Sequence, residues 1–164
     1  IHATAARFCN LFVTGAAPTD ILDQCFSANP KITEHGPQWA TTRLPYLNHT
    51  FAGRRRPKTT YLSPEPTTPT AADNDTSCDA YFDVLGATLA FLPHCHDAMP
   101  PADDFIVSAG AGKKEAVVVR AMAKIASVET GLKWEETFVF MFGEFDKDAK
   151  IGHLEIFSDG LSAW

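Results

Sequence analysis

The sequence contains no apolar run approaching the roughly 20 residues that a membrane-spanning helix needs, and its first residues lack the charged-then-apolar layout of a signal peptide. The expectation is a cytoplasmic protein with no membrane partner. Basic charge is scarce as well: 14 Lys and Arg stand against 20 Asp and Glu, a net charge of −6. The one Arg cluster, Arg54-Arg55-Arg56, abuts Pro57 in a turn-like stretch, so the footprint of a nucleic-acid binder is missing. No Gly-rich phosphate loop follows a strand, and no Ser sits in a nucleophile-elbow context, which argues against a nucleotide cofactor and against a hydrolase triad.

Cysteine is sparse: Cys9, Cys25, Cys78 and Cys95 are widely spaced, and three of them fall within apolar helical patterns, as buried free thiols do. His94-Cys95-His96-Asp97 offers two His at i and i+2, but no third ligand stands at a fixed spacing and the cluster is bounded by Pro, so loop polarity accounts for it and no metal is expected. Asn48-His49-Thr50 and Asn74-Asp75-Thr76 match the glycosylation pattern, which matters only in a secreted chain.

What is present is ordinary globular material. The 164 residues are 45% hydrophobic and 21% charged, the size of a single domain spanning 1–164. Phe8, Leu11 and Phe12 share one helical face, and the stretch from Gly15 to Pro18 stops it. Thr19 is the expected N-cap of a second helix with the stripe Ile21, Leu22, Cys25 and Phe26, ended by Asn29-Pro30. Lys31 to His35 reads as a short strand closed by Gly36-Pro37, and Leu44, Tyr46, Leu47 and Phe51 as a turn or two of helix under a sheet. Residues 57–76, with four Pro and many Thr, can hold neither helix nor central strand and read as a surface loop. A third helix is expected from near Thr76, with Tyr81, Phe82, Leu85, Leu89 and Leu92 as its stripe and Pro93 as its end.

Beyond Pro100-Pro101 the period changes. Phe105–Ala109, Ala116–Val128, Trp134–Phe145 and Ile151–Ser158 are β-branched and aromatic runs joined by short turns, which predicts an antiparallel meander. Helices first and long strands last is an α+β layout, with the helices covering one face of the sheet.

The opening helices, Ile32-Thr33-Glu34-His35-Gly36-Pro37, the helix carrying Tyr81-Phe82, and Ile151-Gly152-His153-Leu154-Glu155-Ile156-Phe157-Ser158-Asp159 resemble fungal SnoaL-like proteins of the nuclear-transport-factor-2-like (NTF2-like) superfamily. The resemblance implies a cone: N-terminal helices packed on a curved antiparallel (mixed) sheet, around a deep pocket. It also implies dimers through the outer sheet face. Members include polyketide cyclases, ketosteroid isomerases, scytalone dehydratases, limonene-epoxide hydrolases and non-catalytic binding modules. This chain departs from the pattern at Leu154 and Phe157, where bulkier Trp residues are usual, at Gly160, where Pro is usual, and in its longer 57–76 stretch.

Four residues are the candidate acid–base groups: His35, Glu136, His153 and Glu155. His153 and Glu155 share a strand face about 7 Å apart, which makes an acid–base pair if that face lines the pocket. His35 ends its strand at a pocket mouth, with Glu34 pointing to the other face. Trp134, Glu136, Phe138, Phe140 and Phe142 alternate onto one face, so Glu136 stands at the end of an apolar wall where desolvation raises a carboxyl pKa. Tyr81, Trp134, Phe138, Phe140 and Phe142 are the candidate substrate-binding residues, while Arg120 and Lys124 read as a solvated or dimer-facing surface. The resulting expectation is an enzyme without cofactor that performs cyclisation, isomerisation or dehydration on a small hydrophobic molecule of polyketide or terpenoid type in fungal secondary metabolism. The alternatives are an epoxide hydrolase of the same fold, or a ligand-binding or dimerisation module whose pocket is closed by side chains.

Overall fold

In the computed structural model, which describes residues 1–55, 75–92, 99–108 and 115–158, three helices precede most of a seven-stranded sheet. Helix α1 (His2–Val13) buries Ala5, Phe8 and Cys9, and its chain reverses at Gly15, whose φ of +69° suits a residue without Cβ. Helix α2 (Pro18–Cys25) starts one residue earlier than the expected Thr19 cap: Ala17 is the N-cap and Pro18 takes the first turn, where its missing N–H costs nothing. The chain then enters strand β1 (Phe26–His35) directly, without the helical stop expected at Asn29-Pro30. Strand β2 (His49–Ala52) follows a 3-10 turn at Gln38–Thr42.

Helix α3 (Cys78–Thr88) is capped by Ser77, whose side chain accepts from the Ala80 N–H. It ends sooner than its apolar stripe suggests, because Leu89–Phe91 form strand β3 against Ser127–Ile125, and tertiary pairing overrides the helical period. Strands β4 (Ile106–Ser108), β5 (Ala116–Ser127), β6 (Lys133–Gly143) and β7 (Ile151–Ser158) form the expected antiparallel meander. The sheet order is β2-β1-β7-β6-β5-β3, with β4 also on β5. One pairing is parallel: β7 lies between β6 and β1, so the last strand closes against the first. The β1–β7 register shifts between Phe26 and Lys31, the stretch that contains Pro30, which has no N–H to give a ladder.

The core is aromatic. Phe8 makes edge contacts with Phe26, Phe140 and Phe142 at centroid distances of 5.2–5.9 Å, and Phe12 does the same with Phe140. Cys9, Cys25 and Cys78 are buried free thiols. The Arg cluster turns out to serve the fold: Arg54 bonds Asp23 of α2 and Asp79 of α3, and Arg55 bonds Asp75 and Asp83. Arg56, almost all of the 57–76 stretch, His94 to Asp97 and Asp159 to Trp164 lie outside the described residues. Among the described residues no helix is long and apolar enough to cross a membrane.

Gly152 of β7 packs against the backbone of Glu144, where an added Cβ would come to 2.1 Å from the carbonyl oxygen. Backbone cannot yield as a flexible side chain can. Gly152→Ala is expected to destabilise the protein by about 2–3 kcal/mol and lower Tm by several degrees; a thermal melt matching the wild type would contradict this packing.

Candidate functional site

Strand alternation decides which side chains enter the space under the helices. On β1 the inward residues are Ile32 and Glu34, on β6 Trp134, Glu136, Phe138, Phe140 and Phe142, and on β7 Leu154, Ile156 and Ser158. Two carboxyl groups therefore lie inside, with Glu34 4% and Glu136 5% exposed.

Glu34 is held by donors from three directions. Tyr81 of α3 donates its hydroxyl proton to Oε2 at 2.8 Å, and Ser158 of β7 donates to Oε1 at 3.2 Å. The Asn48 N–H donates to the Glu34 backbone carbonyl at 2.7 Å, which ties the segment carrying Tyr46 and Leu47 to β1. No cation pairs with the Glu34 carboxyl among the described residues. Burial pushes this carboxyl up to about 7, the nearby Glu136 charge pushes the same way, and the bonds from Tyr81 and Ser158 offset part of the rise. Burial, then the Glu34 charge and the hydrogen bond to it, raise the Tyr81 hydroxyl well above the ordinary phenol value. Glu136 accepts from the Trp134 indole N–H at 2.8 Å.

Trp134 is also one wall of a cavity of about 240 Å³, bounded by Leu44, Thr88, Leu89 and Leu132, with Arg43 and Glu129 at its polar edge. This cavity lies where the β5–β6 hairpin faces the end of α3.

The sequence-derived acid–base set does not converge. Glu136 is inside, whereas His35, His153 and Glu155 lie on the outer face of the sheet. There His35 Nε2 meets Glu155 Oε2 at 2.9 Å and its ring stacks on Phe157 at 4.2 Å, while His153 Nε2 bonds the Thr33 hydroxyl at 2.9 Å. Partial burial lowers the His153 pKa, against the pull of Glu155. The physical reason is the competition between two sets of alternating residues on β7. Leu154 and Ile156 claim the interior, so His153, Glu155 and Phe157 must face out.

Of the residues expected to bind substrate, Tyr81 and Trp134 reach the interior site. Phe140 and Phe142 are packed against Phe8 as core, and Phe138 stacks on Phe140 with centroids 6.1 Å apart. The interior residues that sequence reasoning passed over are Glu34, Tyr46 and Ser158. For Glu34 the signal was its alternation with Ile32. Among the described residues no group of three or more His, Cys, Asp or Glu side chains is placed to hold a metal.

Glu34 gives the fold a pH dependence whose sign is fixed by the raised pKa. The native carboxyl keeps a proton that the unfolded chain, with an ordinary value of 4.5, gives up, so the contribution is complete below 4.5 and is lost as pH rises through about 7. Melts from about pH 5 to about pH 8 are expected to show Tm falling in the wild type. In Glu34→Gln that fall should be largely gone; an equal slope in both would show that another group carries it.

No known family profile matches the sequence, and no curated protein matches it. Similarity appears in three dimensions. An NTF2-like protein of unassigned function from Burkholderia pseudomallei K96243 aligns over 98% of this chain and 91% of its own, with TM-score 0.61 and 13% identity. A candidate isomerase from Bacillus subtilis aligns over 97% and 86%, with TM-score 0.59 and 10% identity. A candidate SnoaL-like polyketide cyclase from Jannaschia sp. CCS1 aligns over 98% and 88%, with TM-score 0.52 and 11% identity. At such identities the likeness concerns architecture alone. Helices over one face of a curved mixed sheet, with the final strand closing on the first, make this an α+β protein of the NTF2-like fold.

Proposed function

We propose that the chain is a small-molecule enzyme that moves protons within its interior, with Glu34 as the group that gives and takes them. The observation that carries this reading is a carboxyl buried without a cation, bonded only to neutral donors and facing a second buried carboxyl. Burying such a group costs several kcal/mol, a cost with no structural return that a buried Leu would not exceed. Its proton affinity near neutrality suits it to act as acid in one step and base in the next.

Tyr81 is a positioning residue: it fixes Oε2 of Glu34 while Ser158 holds Oε1. Trp134 plays the same part for Glu136. Isomerisation, cyclisation by enolate attack and dehydration all need this proton relay, and the cavity beside Trp134 suits the apolar body of a polyketide- or terpenoid-like molecule. The isomerase- and cyclase-type neighbours support the same class. A panel of aromatic and terpenoid ketones incubated in D2O, followed by proton NMR, tests the reading. Exchange of the hydrogen next to the carbonyl is expected with the wild type and should drop by about 100-fold or more in Glu34→Gln. Exchange that survives the substitution undiminished removes Glu34 from the role.

We also propose a second copy of the chain as partner, through the outer sheet face. Val118 and Met141, then Val139 and Phe157, lie side by side across β5, β6 and β7, and Phe157 is 41% exposed. Arg120 flanks this strip on β5 and Glu155 on β7, so a two-fold axis through its centre sets opposite charges across from each other. Light scattering is expected to give a dimer mass for the wild type and a monomer mass for Val139→Lys; a monomeric wild type ends this proposal.

A further inference from the structure

The cavity beside Trp134 is not uniformly apolar. Leu44, Leu89, Leu132 and Trp134 wall it, but its edge carries one cation, Arg43, and one anion, Glu129. Both stand on backbone that is tied down. Arg43 caps the 3-10 turn Gln38–Thr42, with its N–H donating to the Ala40 carbonyl at 3.1 Å, and Leu44 beside it is buried in the core. Glu129 belongs to the β5–β6 turn, which is closed by the Gly131 N–H on the Ser127 carbonyl and the Thr130 N–H on the Ser127 hydroxyl. The Val128 N–H donates to the Thr88 carbonyl at 2.9 Å and fastens that turn to the end of α3. The negative pole of the α3 dipole therefore lies on the Glu129 side of the cavity, and no basic residue in the last turn of the helix offsets it.

The two charges do not satisfy each other: among the described residues Glu129 makes no hydrogen bond or ion pair, with Arg43 or with any other cation. A wholly apolar ligand would strip water from both and give nothing back. An acid suits Arg43 but is repelled by Glu129 and the end of α3, and an amine meets the reverse balance. A ligand that carries both charges answers each. Resting on the reading of this cavity as a ligand site, we infer that its ligand bears an α-amino acid group at the outer end of an apolar body. The carboxylate goes to Arg43, whose guanidinium fork matches a pair of carboxylate oxygens. The ammonium goes to Glu129 and the end of α3, and the apolar body lies against Leu44, Leu89 and Trp134. Either contact alone is exposed and screened and contributes little, so the preference comes from making both at once on one compact unit. A phosphate or a dicarboxylate brings further negative charge towards Glu129 and is disfavoured.

Three probes of nearly one shape separate the charges: L-phenylalanine, 3-phenylpropionate, which lacks the ammonium, and 2-phenylethylamine, which lacks the carboxylate. Each is titrated into the whole chain and followed by tryptophan fluorescence, since Trp134 lines the cavity. Wild type is expected to bind phenylalanine roughly fivefold more tightly than either analogue. Arg43→Gln should bring phenylalanine down to the level of 2-phenylethylamine, and Glu129→Gln should bring it down to the level of 3-phenylpropionate. Both side chains are exposed, so each variant should keep the Tm of the wild type and any lost binding is not lost folding. The inference is overturned by a wild type that binds none of the three or binds either analogue as tightly as phenylalanine, and equally by variants that keep the full preference. The two readings fail separately. A phenylalanine preference that both variants abolish, with hydrogen exchange indifferent to Glu34→Gln, would keep the subsite and end the enzyme; exchange that depends on Glu34, with no charge preference in the cavity, would keep the enzyme and end the subsite.

Discussion

The hydrogen bond from Tyr81 to Glu34 is the contact on which the interior depends. A carboxyl taken out of water without a cation must be kept neutral or be well solvated by fixed donors, and Glu34 receives donors from α3 and β7 while its backbone carbonyl receives one from Asn48. Each donor comes from a different part of the chain. The carboxyl bonds tie α3 and the end of β7 to β1, and the backbone carbonyl bond ties down the segment carrying Tyr46. On the far side, Arg54 holds α3 to α2 through Asp79 and Asp23, so the helix that carries Tyr81 is fixed at two places.

The sheet separates two kinds of electrostatics. Its outer face carries Lys31–Glu144, Lys124–Glu135 and His35–Glu155, pairs that water and salt screen and that contribute little each. Its inner face has fewer polar groups, and they interact in a medium where each lost or gained bond weighs more. Acid–base chemistry that needs a shifted proton affinity belongs on the inner face, and that is where burial has moved Glu34 away from its ordinary range.

Much of this was legible in the residues. The Phe alternation of β6, the meander from β4 to β7 and the helices ahead of it follow from period and turn composition, and the three alternating Phe indicated the face that Glu136 shares. Strand β7 was harder. Alternation splits its residues into two sets without saying which is inside, and both sets carry apolar members: Ile151 and Phe157 in one, Leu154 and Ile156 in the other. Ile151 is buried next to the register shift, where alternation breaks, so its burial does not extend to the set containing His153 and Glu155. Glu34 was assigned a face but not a role, since a strand of five residues with a Glu at its fourth position looks the same whether that side chain meets water or Tyr81. Tyr46 and Ser158 come to the site only through long-range pairing, which no local pattern encodes.

The parallel seam between β1 and β7 has a consequence for how the molecule is made. A chain leaving the ribosome exposes α1, α2 and β1 more than a hundred residues before β7 exists, and β1 keeps one edge open until β7 is threaded between it and β6. Ser158 of that strand supplies one of the two bonds to the Glu34 carboxyl. Until β7 has docked, the Glu34 carboxyl lacks the donor that Ser158 supplies to one of its oxygens.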